Sequence, residues 1–263
     1  MKRSTFWAWF WLLIGTIYFF LPLIATLDFS LRAQRNTLSL LAYERVLQDP
    51  QFISSFLFSA RMSLLTILFG VLLIIPTAYW VHLRLPHLRP LVEMLTLLPF
   101  VMPVIVLVFG LIRTYSRPPL LMTSSTMTTD VLLVAGYMVV SLPYLYRSVD
   151  VGLRAMDVRS LTEAAQSLGA GWGTILFRVI LPNLRTSVLT GALLTVAIVI
   201  GELTLAQYLA RPAFGPYMAL LGQNRAFEPA ALAIMSFGLT WAAMGMIYWL
   251  TRGRAEGQIG GGH

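Results

Sequence analysis

The sequence predicts an all-α integral membrane protein of six transmembrane helices with both termini in the cytoplasm. Three observations predict it. The apolar residues come in blocks long enough to cross a bilayer, which takes about 20 residues per helix. The basic residues fall in short segments beside those blocks. One longer segment, 151–185, reads as soluble helix stranded between apolar stretches. Hydrophobic residues make up 57% of the chain and charged residues 11%, with a mean hydropathy of +0.75, well outside the soluble globular norm.

The spans follow from the apolar blocks and their polar breaks. The first covers about residues 6–27 and opens on Trp7, Trp9 and Trp11, which suit an interfacial aromatic belt. Its apolar run is too long for the core of a signal peptide and no small-residue cleavage site follows, so it reads as a retained span. The others cover about 53–81, 91–112, 131–146, 186–209 and 230–250. Pro22, Pro76, Pro99 and Pro103 fall inside or near span ends, and in membrane helices they predict kinks and not breaks. Between the first two spans, a mixed-charge stretch holds a short amphipathic helix around 40–47. Residues 116–129 read as an uncharged connector after Arg117, and the Gly-rich tail 253–263 as disordered. Residues 1–252 form one membrane domain, with no internal repeat evident.

Orientation follows from the basic residues. With the N-terminus inside, eleven fall on the cytoplasmic side: Lys2, Arg3, Arg84, Arg89, Arg147, Arg154, Arg159, Arg178, Arg185, Arg252 and Arg254. Seven fall outside: Arg32, Arg35, Arg45, Arg113, Arg117, Arg211 and Arg225, with Arg61 left within the second span. Segment 151–185 is then cytoplasmic.

Composition also excludes chemistry. The chain has no cysteine, hence no disulfide, thiolate nucleophile or thiolate metal site. Its three histidines form no cluster with acidic residues in sequence, so no metal is expected. His82 and His87 straddle a turn with Arg84, Pro86 and Arg89 and read as interfacial, while Glu93 is expected to pair with Arg89 or meet headgroups. The net charge of +8 does not indicate nucleic acid, because there is no Lys/Arg run with an interleaved aromatic platform.

The stranded segment has a readable local structure. Ser160-Leu161-Thr162-Glu163 fits a capping box, with Ser160 as cap and Glu163 reaching back. Ala164, Ala165 and Gln166 continue the helix, and Gly169 suits the left-handed residue that ends one. Residues 170–173 turn, a second helix runs over 174–180, and Pro182 marks re-entry into the membrane. The bland alternative is an amphipathic hairpin lying on the membrane surface.

The run EAAQSLGAGWGTILFRVILP, from Glu163 to Pro182, resembles the EAA loop of binding-protein-dependent ABC importer permeases of the type I fold. Further similarity lies in Ser63-Leu64 to Pro76-Thr77-Ala78-Tyr79 and Arg84, in the prolines of Leu98-Pro99 and Met102-Pro103, and in Leu142-Pro143-Tyr144 with Arg147, Gly152-Leu153 and Met156-Asp157. Together these cover roughly residues 55–250. Val179 stands where the family usually has Ile, and Gly171 and Gly173 make the turn unusually glycine-rich. The resemblance implies coupling helices between spans 4 and 5, with Glu163, Ala164, Ala165, Gly169, Leu181 and Pro182 forming the surface on which a cytoplasmic ATPase docks. Bulk at Ala165 would then impair docking without unfolding the spans. The resemblance also implies a non-catalytic subunit of a bacterial inner membrane. Its partners would be an ATPase dimer that binds ATP and Mg, a second permease subunit, either identical or homologous, and a periplasmic or lipid-anchored solute-binding protein. The chain itself lacks the G-x-x-x-x-G-K-[ST] phosphate loop.

Cargo is approached through Glu202, the one carboxylate deep in an apolar run. A charge there is expected to face a cavity or a partner. With Thr204, Gln207 and Tyr208 on nearby turns, it forms a candidate pathway for a cationic solute; a structural hydrogen bond is the alternative. The second half of the chain looks most like the polyamine branch, whose relatives carry spermidine, putrescine, opines, aminophosphonates or ferric iron. An intramembrane enzyme would need paired catalytic groups at membrane depth, and a self-contained secondary carrier would show inverted repeats with several intramembrane charges; the sequence displays neither pattern.

Overall fold

The structure is a computed structural model that describes the backbone of residues 2–34 and 37–255, and their side chains apart from residues 2–5, 243, 244 and 246–255. Arg35 and the part of the predicted tail from 256 to 263 lie outside the described residues. Among the described residues the regular structure is helical, save for an isolated bridge between Gln34 and Thr37. The chain divides into two compact units, residues 54–216 and residues 1–53 with 217–263.

In the discontinuous unit, α1 (Lys2–Leu31) and α2 (Leu41–Gln48) both pack on α12 (Glu228–Ala255). α1 continues four residues past the predicted span end because Asp28, which would otherwise present a bare charge, pairs with Arg32 one turn on at 2.7 Å. α2 is the expected amphipathic helix, burying Ala42 and Val46. Phe29 lies against Phe227 with ring centroids 4.9 Å apart. Arg45 and Arg225 meet the buried Glu228 at 3.2 and 3.4 Å, and the Tyr217 hydroxyl donates to Asp49 at 3.0 Å. α12 contains the sixth predicted span and carries the first three residues of the predicted tail as helix.

The larger unit is organised around α6 (Thr126–Arg154). Packed against it are α4 (Arg89–Val101), α5 (Val104–Tyr115), α9 (Arg185–Gly201) and the short α10 (Thr204–Tyr208). α6 is longer than the predicted span at both ends. Ser125 accepts from the Thr128 N–H at 3.3 Å and so starts the helix within the expected connector. At the other end, Asp150 pairs with Arg154 one turn on at 2.6 Å, as described below. Asp130 and Asp150 are thus helical residues of α6.

α3 (Pro50–Leu83) runs through Pro76 without interruption. The third predicted span does not. α4 and α5 meet at 99°, because Pro103 offers no N–H and forces Met102 into an extended conformation (ψ 119°). Pro22 and Pro76 thus leave their helices unbroken, whereas Pro103 makes a break. A second interruption divides the fifth predicted span at Glu202, between α9 and α10. α11 (Phe214–Asn224) lies between the fifth and sixth predicted spans. Among the described residues three helices, α1, α3 and α6, are singly long and apolar enough to cross a membrane, and up to five spans result if each bent pair counts as one.

The interior of this unit falls into two clusters. One gathers Met62, Val108, Leu132, Leu133, Tyr137, Val199 and Leu205. The other gathers Ile74, Tyr79, Leu145, Val149 and Leu153 with residues of the 158–184 segment, so the soluble-looking helices rest on the ends of α3 and α6. The 209–213 segment is fixed by an Arg211–Asp130 ion pair of 2.7 Å, and the Phe214 N–H donates to Ser59 at 2.8 Å.

Candidate functional site

The 158–184 segment forms a helical knob. α7 (Val158–Ser167) is capped by Asp157, whose carboxylate accepts from the Ser160 N–H at 3.0 Å and the Ser160 hydroxyl at 2.6 Å. These bonds, with the hydroxyl first, hold the Asp157 carboxyl below its ordinary value. The predicted capping box is thus displaced by three residues: Ser160 is a donor in the first turn, and Glu163 pairs with Arg159 at 2.9 Å in solvent. Aspartate outcompetes a downstream serine for the cap because its charge favours the helix N-terminus.

α7 has a wet face and a dry face. Val158, Thr162 and Ala165 are buried, and the Thr162 hydroxyl lies 3.1 Å from that of Tyr79. Glu163, Ala164 and Gln166 are exposed, and Leu168 is 88% exposed at the tip. Ala165 therefore packs in the core beneath the knob, so bulk there would disturb the fold, contrary to the expectation that it would disturb docking alone. Gly169 takes the left-handed conformation (φ 79°), and a Cβ there would meet nothing within 4 Å. The turn is closed by the Ala170 N–H donating to Ala165 at 3.0 Å.

The return helix, α8 (Trp172–Asn183), buries Ile175, Leu176 and Ile180 and winds as a π-helix over Ile175–Ile180. The Leu181 N–H donates to the Leu176 carbonyl, and Pro182, which needs no acceptor, follows within the first positions of another turn. Pro182 is exposed and Leu181 half-buried. Pro182 does not end the helix; the chain bends by 75° between Asn183 and Arg185. Trp172 stacks on Trp80 at 6.2 Å, both rings partly exposed.

Beneath the knob lies a cluster that sequence reasoning missed. Asp150, its side chain 1% exposed, receives Arg154 at 2.6 Å, His82 at 2.9 Å and Arg89 at 3.3 Å, with Arg147 at 3.9 Å. Glu93 joins through Arg154 at 2.9 Å and Arg89 at 3.1 Å. The Arg89–Glu93 pairing was expected; the role of His82 was not. The available signal was Asp150 set three residues after Arg147 and four before Arg154, a spacing that places them on one helix face. Beside this cluster, α4, α6 and α9 leave a groove of about 570 Å³.

Glu202 occupies a different setting. It follows the last residue of α9, and its carboxylate accepts from the N–H of Thr204 at 2.8 Å and of Leu205 at 2.9 Å, so it begins α10. Gly215 packs so close that a Cβ there would overlap the Glu202 carbonyl. Thr204 is half-buried, and Gln207 and Tyr208 are exposed, Tyr208 against Phe109 with centroids 5.0 Å apart. The hydrogen bonds of the Glu202 carboxylate thus go to its own backbone.

The sequence profile of the family described as "binding-protein-dependent transport system inner membrane component" matches residues 70–255. The methionine import system permease protein MetP of Bacillus subtilis (strain 168) is 35% identical over 66 residues, 25% of this chain and 29% of that protein. The fold is similar to a bacterial ABC transporter involved in the import of the acidic polysaccharide alginate (TM-score 0.66, 18% identity, 93% of this chain and 96% of the other). It is also similar to an amino acid ABC transporter solved with histidines (TM-score 0.55, 16% identity, 82% and 99% covered).

Proposed function

The chain belongs to the family of binding-protein-dependent transport system inner membrane components, and from that premise we propose that it forms half of the translocation pathway of an ABC importer and takes its drive from a cytoplasmic ATPase through the 157–184 knob. The family is one of permease subunits whose ATPase is a separate chain. The observation that carries the proposal is the two-faced α7: one face is locked onto the ends of α3 and α6, and the other ends in a bare Leu168. A solvated helix tip carrying an exposed leucine fits a partner's apolar socket. Glu163, Ala164, Gly169 and Pro182 lie on the exposed surface, with Leu181 half-buried beside them. The second permease subunit, the solute-binding protein, and ATP with Mg on the ATPase complete the assembly.

The topology in this reading is six spans with both termini inside. Since the chain contains no cysteine, single replacements report it directly. Ser167→Cys is expected to react with an impermeant maleimide only in inverted vesicles, and Thr123→Cys only in right-side-out cells. For coupling, Leu168→Glu is expected to cut recovery of the ATPase with the membrane subunits at least tenfold while leaving thermal unfolding of the permease unchanged. Undiminished recovery would remove the coupling role.

A polyamine cargo rests on Glu202 as an open cation site, and that carboxylate is already held by two N–H donors. The similar proteins named above concern methionine, an acidic polysaccharide and an amino acid transporter with histidines. A small solute bearing a carboxylate is therefore the cargo class we favour.

A further inference from the structure

Two grooves of the larger unit differ in the kind of their lining. One, of about 380 Å³, is walled by Leu64, Ile67, Leu68, Val71 and other apolar residues, including Phe177 and Leu181. That is the surface expected against acyl chains. The other, about 570 Å³, lies between α4, α6 and α9, and each of these helices contributes polar groups to it: Glu93 and Thr96 from the first, Tyr146 and Arg147 from the second, Ser187 and Thr190 from the third. The Thr96 and Thr190 hydroxyls donate to carbonyls of their own helices, so the ionisable Glu93 and Arg147 mark the groove, and such groups between membrane helices face a cavity, not lipid.

The polar end of this groove is unbalanced. Asp150 and Glu93 together face three guanidiniums, and two of these, on Arg89 and Arg154, reach them within 3.3 Å. Arg147 stands off at 3.9 Å from Asp150 with its side chain 70% exposed. One positive charge is thus left over, and it borders the groove. Next to it, Tyr146 is 4% exposed and its buried hydroxyl has no hydrogen-bond partner. A buried donor without an acceptor costs about 1–3 kcal/mol, so an arriving acceptor has both a charge and an unused O–H to meet. The opposite end is apolar, with Phe100 and Leu194.

We propose that this groove holds a small organic acid, its carboxylate on Arg147 and the Tyr146 hydroxyl and its apolar body toward Phe100. The assignment rests on the permease reading for its meaning, as a resting place for cargo between the helices. Its volume suits a small molecule, and a guanidinium fork matches a carboxylate with two parallel hydrogen bonds. A phosphate headgroup presents similar chemistry, but a lipid would extend along an apolar surface, and here hydroxyl-bearing residues line all three walls.

The test uses the full chain in phosphatidylcholine nanodiscs with 3-fluorotyrosine in place of Tyr146 alone, read by fluorine NMR. Hexanoate is expected to shift the resonance saturably, hexanamide to bind at least tenfold more weakly, and hexylamine to leave it unmoved. Arg147→Gln should weaken hexanoate about tenfold and leave hexanamide unchanged, while Arg147→Lys recovers part of the loss. No shift with hexanoate, or equal shifts with all three probes, overturns the proposal. So does a shift produced by phosphatidylglycerol in the disc without added acid, which would make the groove a headgroup site. Because this binding needs no ATPase, it is separable from coupling. A permease that binds hexanoate but keeps its ATPase after Leu168→Glu would lose the coupling reading and retain the groove.

Discussion

Asp150 and Glu202 are both buried carboxylates of the same helical unit, and they are stabilised in opposite ways. Asp150 is surrounded by side-chain donors from α3, α4 and its own helix: an imidazole and three guanidiniums. Glu202 has two backbone N–H groups two and three residues ahead of it. The first arrangement is long-range, joining positions 61 and 68 residues apart, and so fixes how helices meet. The second is local and fixes where one helix stops and another starts. A buried acid is thus no guide by itself to a binding site; its donors decide whether it is a staple, a cap or a contact.

The largest effect should come from Asp150→Asn. Removing one side of a buried ionic cluster leaves its cations uncompensated, a loss of about 3–5 kcal/mol. The expected readout is a marked fall in the thermal midpoint in detergent, and a change within error would mean the cluster is effectively solvated. Gly215→Ala comes next. The added methyl overlaps the Glu202 carbonyl, which backbone must yield to relieve, at a cost of about 1–3 kcal/mol typical of overpacking. A variant as stable as the parent would show the 202–215 approach to be loose. Glu202→Gln should be mildest, about 1 kcal/mol, since one amide oxygen remains to cap α10. Solute uptake by the assembled importer should not change, whereas a lost or altered selectivity would return Glu202 to the pathway and erase the contrast with Asp150.

Much of this was readable in the chain. The apolar blocks locate α1, α3 and α6, the amphipathic run locates α2, and Gly169 stands at the left-handed turn because a helix that must reverse direction there needs φ above zero. What escaped reading divides by physical cause. The Asp150 cluster depends on partners brought together only by packing, so a lone His82 looked interfacial. The break at Met102-Pro103 was visible as a motif, but whether a proline bends or severs a helix depends on the donors its neighbours supply to the carbonyl it leaves free. The cap at Asp157 was missed because two residues three apart compete for the same N–H groups, and charge settles the contest. Ala165 was assigned to the outer surface on resemblance, whereas helical phase places it beside Val158 and Thr162, facing inward.

The π-helical stretch Ile175–Ile180 also sets a phase. A turn that closes on the fifth residue holds one residue more than an α-turn would, and each residue of an α-helix subtends about 100°. Winding the same residues as a regular α-helix would therefore rotate everything after them, α9 included, by roughly that angle relative to α7, whereas deleting one residue would close the wide turn and leave the phase nearly unchanged. With that rotation Leu184, now wholly buried, would leave the core, and Ser187 and Thr190 would leave the groove they line with α4 and α6. The odd turn thus acts as a gear tooth: it meshes the face that the knob shows to water with the face that α9 shows to the groove.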